Sequence, residues 1–129
     1  MKTKNPLTAI LIALLAVTSG YGQPRTVKAN IPFPFTVEGK VLAPGEYTLA
    51  RNDMGSEFAV TGTGKNLALA PILTRINGVM DKTQQHTHLV FDVVGDTHLL
   101  SEIWIPGEDG YLMLVTKGAH THKVIHAQH

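Results

Sequence analysis

His86–Val115 reads HTHLVFDVVGDTHLLSEIWIPGEDGYLMLV, three apolar runs in succession. The first, Leu89 to Val94, ends at Gly95-Asp96, where glycine enters positive φ without a Cβ clash and allows a tight reversal. The second, Leu99 to Ile105, is stopped by Pro106-Gly107, and the third, Tyr111 to Val115, comes after a loop too polar to bury. A meander of this kind has to cover its apolar face. The sequence on either side of it offers further strands for that purpose.

Upstream, RTVKANIPFPFTV at positions 25–37 places Val27, Ala29, Ile31, Phe33, Phe35 and Val37 on odd positions with polar residues or proline between them. Six matches to a period of two predict one strand, and Pro32 and Pro34, which lack amide protons, predict that it runs along a sheet edge or across a bulge. Turn signals then recur about every ten residues, at Glu38-Gly39-Lys40, Pro44-Gly45, Asn52–Ser56, Gly62–Asn66 and Asn77-Gly78. A helix over Leu67–Ile76 is opposed by Pro71 in its middle. The pattern predicts an all-β single domain, an antiparallel β-sandwich or small barrel of roughly seven to nine strands.

The amino terminus reads differently. Lys2 and Lys4 precede the apolar run Leu7–Val17, and Thr18–Gly22 is rich in small residues, the layout of a cleavable signal peptide. The apolar run is shorter than the roughly 20 residues that cross a bilayer, so no membrane span is expected after cleavage. Residues 1–22 are therefore read as leader, 23–118 as the β-domain and 119–129 as a histidine-rich tail, with the mature chain periplasmic or extracellular. Without cysteine there is neither a lipoprotein anchor nor a disulfide, so the domain must live on its core. Loss of Lys2 and Lys4 with the leader leaves 9 basic and 10 acidic residues, a balance that argues against a nucleic-acid partner.

Four blocks in order, IPFPFTV at 31–37, LAPGEYT at 42–48, LVF at 89–91 with Gly95-Asp96, and LSEIW at 100–104 before Pro106-Gly107, resemble a group of small exported β-rich proteins of soil bacteria. The resemblance covers most of the mature chain and implies export and a β-fold. It carries no activity or catalytic residue, because none is assigned to that group. The chain departs from the group after Gly107, where other members tend to be basic and this one is apolar and then histidine-rich.

The seven histidines all lie in the last third of the chain, at 86, 88, 98, 120, 122, 126 and 129. Two pairs are written His-Thr-His, and on a strand residues i and i+2 share a face, so His86 with His88 and His120 with His122 are candidate ligands for zinc or copper. Convergence of the two pairs is the expectation that goes with this reading. His86-Thr87-His88 with Asp92 resembles part of the first metal motif of cupins, but the later strand histidine that cupins place beyond a Pro-x-Gly turn is missing. A pH-responsive surface is a further reading, since histidines titrate near pH 6.5.

Enzymatic chemistry has little to stand on. The mature chain has two serines, Ser56 and Ser101, no thiol and no nucleophile elbow, and alternation puts Ser101 and Glu102 on opposite faces of a strand. Glu38, Glu46, Asp53, Glu108 and Asp109 sit beside turn glycines, where acidic residues serve the backbone. Trp104 and Tyr111 are candidates for a sugar-stacking platform, with core burial the plainer role. The sequence thus favours a non-enzymatic module without cofactor that meets a protein partner or itself through an apolar edge at Ile31, Phe33, Phe35 and Val37. The alternative is a histidine-based zinc or copper binder.

Overall fold

The computed structural model describes residues 26–77 and 86–128. The expected leader, the Asn77-Gly78 reversal and His129 fall wholly or partly outside them. Among the described residues, eleven strands form two sheets and there is no helix. The first sheet runs β1 (Thr26–Ile31), β4 (Gly45–Arg51), β5 (Glu57–Gly62), β6 (Lys65–Pro71), all antiparallel. The second runs β11 (Thr121–His126), β8 (His88–Val94), β9 (Thr97–Trp104), β10 (Gly110–Leu112), β7 (Thr74–Ile76). On its flank, β2 (Phe35–Val37) pairs with β9 in parallel at Thr36 and Leu99, and β3 (Lys40–Leu42) pairs with β2. The sheets share one core and do not close into a barrel.

The predicted strand at 25–37 is two strands. Its period of two persists, with Val27, Ala29, Ile31, Phe35 and Val37 all buried, but the chain changes sheets between Ile31 and Phe35. Pro32 and Pro34 cannot donate to a ladder, so the first sheet releases the chain there and the second takes it up. This corrects the expected apolar edge. Ile31, Phe35 and Val37 are at most 3% exposed, Phe33 packs against the core, and β2 has partners on both sides.

Phe35, Phe58, Phe91, Leu49, Leu89 and Ile103 meet between the sheets, each less than 2% exposed. The rings of Phe35 and Tyr47 meet edge to face at 5.0 Å, as do those of Phe58 and Tyr111 at 5.4 Å. Each such side chain stabilises the fold by roughly 2–3 kcal/mol when removed from water. That is how a cysteine-free chain holds together.

Two features of the second sheet set the surroundings of Asp92 and the late histidines. From β10, the chain must cross β9 and β8 to reach the far edge, and it does so over the face turned away from the core. Met113, still in the core, extends the β10–β9 ladder by donating its N–H to Ser101 O at 2.8 Å, and beyond it Thr116 Oγ1 donates to Asp92 on β8. β8 is therefore buried on both faces, Leu89 and Phe91 inward and Val90 and Asp92 beneath the crossing segment. The expected tail is then a strand of the domain. β11 pairs with β8 in unbroken register from Thr121 opposite Val93 to His126 opposite His88. Beyond it, Gln128 N–H donates to Lys28 O at 2.7 Å, joining the open edges of the two sheets at one corner.

Candidate metal centre

A carboxylate within an apolar strand has to find partners, and Asp92, 4% exposed, finds four groups. Ser101 Oγ donates to Oδ1 at 2.9 Å and Thr116 Oγ1 to Oδ2 at 2.6 Å. His122 Nε2 stands 3.5 Å from Oδ1, and His120 Nε2 4.0 Å from Oδ2. Register brings His122 here, since it lies directly opposite Asp92 on β11. Ser101 arrives by a different route. Pairing slips by one residue between Val90 and Phe91, so that Val90 faces Glu102 while Phe91 faces Leu100. Ser101 is the extra residue of a β-bulge, and its hydroxyl turns toward Asp92. The strict alternation expected for Ser101 and Glu102 fails at that point.

The tautomer of His120 is fixed by geometry. Its Nδ1 lies 2.9 Å from the carbonyl of Gly118. A carbonyl only accepts, so in the neutral ring Nδ1 carries the proton and Nε2 presents a lone pair. That lone pair faces a carboxylate oxygen 4.0 Å away. A backbone carbonyl holding the outer nitrogen of an imidazole is the usual support for a metal ligand.

Asp92, His120 and His122 each offer one ligand atom, all within 4.8 Å of one another. Around zinc, with bonds of 2.0–2.1 Å, tetrahedral ligands stand roughly 3.4 Å apart, so closure needs a contraction of at most about 1.4 Å. The side chains of His120 and His122 are 22% and 53% exposed and have the freedom to make it. Two imidazoles and one carboxylate suit zinc or copper and leave at least one coordination position for water.

The four predicted histidines do not converge. His120 and His122 belong to this centre, whereas His88 lies four residues away along β8 and opposite His126, and the exposed His86 offers its carbonyl to the His88 ring. The four-histidine reading is corrected accordingly: the third ligand here is Asp92. In the sequence Asp92 stands beside the other histidine pair, His86 and His88. The usable signal is a charge inside the run Leu89–Val94, which needs a partner if that run is a buried strand.

The other candidates take structural places. Glu108 Oε1 accepts from Arg51 Nη1 at 2.7 Å and from the Tyr111 hydroxyl at 2.5 Å, and Arg51 Nη1 also reaches that hydroxyl. This group ties β4 of one sheet to β10 of the other. Burial, with the Glu108 carboxylate beside it, raises the Tyr111 pKa, and the nearby Arg51 and Arg75 partly offset the rise. Tyr111 is in the core while Trp104 lies outside it over Gly110, where a Cβ would meet the indole at 2.7 Å, so the two form no common platform. Ser101 hydrogen-bonds to Asp92 and to the Val90 carbonyl, not to an imidazole. No family model, curated protein or solved structure matches the chain.

Proposed function

We propose that this is an exported, non-enzymatic β-domain that binds a divalent transition metal ion, zinc or copper, through Asp92, His120 and His122. The observation that supports the reading most is the buried Asp92 carboxylate. It receives two hydroxyl hydrogen bonds and, among the described residues, no lysine or arginine, while two imidazole nitrogens, one with its lone pair directed inward, stand 3.5 and 4.0 Å away. A metal ion supplies the missing positive charge and satisfies all three groups together. Residues 1–22 support export into the periplasm or the extracellular space, where free metal is scavenged or buffered. Assembly through Ile31–Val37 is set aside, because those side chains fill the core.

The test is titration of the mature chain with Zn²⁺ and with Cu²⁺ by calorimetry, alongside Asp92→Asn. Tight binding that the substitution weakens supports the reading. Equal heats from both proteins, or none from either, end it.

A further inference from the structure

Beyond the Asp92 centre, the same outer face carries His88 and His126, which that site leaves unused. We infer that these two form a second, independent copper site, with Trp104 placed as its optical reporter. The inference extends the metal-binding reading but rests on different residues.

Three observations carry it. First, His88 and His126 are directly opposed on β8 and β11, with ring centres 6.1 Å apart. Two imidazoles on one ion, each bonded at about 2.0–2.1 Å, place their ring centres roughly 4.5–5 Å apart, so the His126 ring closes by about 1 Å on binding. The pair at the first centre, His120 and His122, stands at 5.1 Å. Second, His88 Nδ1 lies 2.9 Å from the His86 carbonyl. That bond puts the proton of the neutral ring on Nδ1 and leaves Nε2 as a lone pair. It is the same arrangement, ring to the carbonyl two residues back, that orients His120. His88 is only 8% exposed, so its ring is held, while His126 is exposed and free to close on an ion. Third, His88 is also directly opposed to Trp104 on β9, the rings nearly parallel at 6.2 Å. The indole is held in place by its Nε1–H, donated to Glu102 at 2.8 Å, and by Gly110 beneath it.

Two neutral nitrogens without a carboxylate favour copper over zinc. Cu²⁺ stands at the top of the affinity order for nitrogen ligands and completes its coordination with water. Bound there, it lies next to the sole tryptophan of the chain and quenches it. Four residues along β8 separate this pair from Asp92, roughly 13 Å at the rise of a strand. One ion therefore cannot serve both.

The experiment is a Cu²⁺ titration of the mature chain monitored by Trp104 emission, with copper stoichiometry measured in parallel. Wild type is expected to bind two equivalents and to lose most of its emission. The Asp92→Asn/His122→Ala variant is expected to keep the quenching while binding one equivalent fewer. His126→Ala, which alters an exposed side chain, and the conservative His88→Gln are each expected to reduce quenching at equal copper by threefold or more, with zinc binding at Asp92 unchanged. Quenching unaffected by His126→Ala and His88→Gln overturns the second site and leaves the Asp92 centre standing. Quenching that disappears in the Asp92→Asn/His122→Ala variant assigns all the copper to the first centre and also overturns it.

Discussion

Glu108 and Asp92 are both carboxylates drawn into the domain, and they are neutralised in different ways. Glu108 meets a guanidinium at 2.7 Å and a phenol at 2.5 Å, a permanent cation with its hydrogen bonds made, and the result fastens one sheet to the other. Asp92 is more deeply buried, yet its nearest potential cations are imidazoles at 3.5 and 4.0 Å. A guanidinium is always charged and has no lone pair to offer a metal, whereas imidazole is a ligand when neutral. Arginine therefore makes a closed structural tie, whereas a pair of histidines at slightly greater distance gives the geometry on which the proposed metal site rests. The partner, more than the carboxylate, separates architecture from function.

That contrast is open to attack at four points. The largest effect is expected from Arg51→Ala, which removes the guanidinium bonded to Glu108 and to the Tyr111 hydroxyl. It should lower the unfolding free energy by about 3 kcal/mol in urea titrations, somewhat less than for a fully buried pair. A loss below 1 kcal/mol breaks the structural half of the comparison. Next, Asp92→Asn should weaken Zn²⁺ binding by about 100-fold, about 2.7 kcal/mol, while the metal-free protein unfolds within about 1 kcal/mol of wild type. A collapse of the metal-free fold makes Asp92 structural, like Glu108. Third, Ser101→Ala and Thr116→Val each remove a hydroxyl that orients the Asp92 carboxylate, and should cost about tenfold in zinc affinity. Unchanged affinity in both means that the hydroxyls serve only the apo state.

The smallest effect concerns Tyr111. Its phenol has a pKa raised above the ordinary 10.0 by burial and by Glu108. A group whose folded pKa exceeds its unfolded value contributes stability that is complete below pH 10 and is lost as pH rises through the folded pKa. Urea midpoints should therefore fall at alkaline pH in wild type, and the fall should be shallower in Tyr111→Phe. Parallel curves sink the assignment.

Local pattern made much of the fold legible. Alternation in Val27–Val37 marked the side chains that turn inward, with Phe33 only half-buried, although Ile31–Val37 were expected at an apolar edge; Gly95-Asp96 and Pro106-Gly107 end strands where the backbone chemistry requires. The change of sheet at Pro32–Pro34 was less visible, because proline forbids a ladder partner without saying where the chain goes next. The site was harder still. Asp92 and His122 are thirty positions apart in sequence and meet only through the register of β8 against β11, a long-range choice that no local period encodes. One clue lies in THKVIHA at 121–127, where Thr121, Lys123, Ile125 and Ala127 alternate with His122, Val124 and His126. Ile125 and Ala127 pack against the core, and that alternation marks a strand where a run of histidines suggests a loose end.

The bulge at Ser101 bears on how this surface could be re-engineered. Leu100 and Ile103 both face the core although they are three residues apart, a spacing an uninterrupted strand cannot produce. Deleting Ser101 brings them to the regular spacing of two, so the ladder closes and the core keeps its side chains. What vanishes is one hydroxyl beneath a carboxylate. A single codon gained or lost in β9 thus separates a plain sheet from one whose outer face supports a buried carboxylate, and the hydrophobic core stays neutral to the exchange.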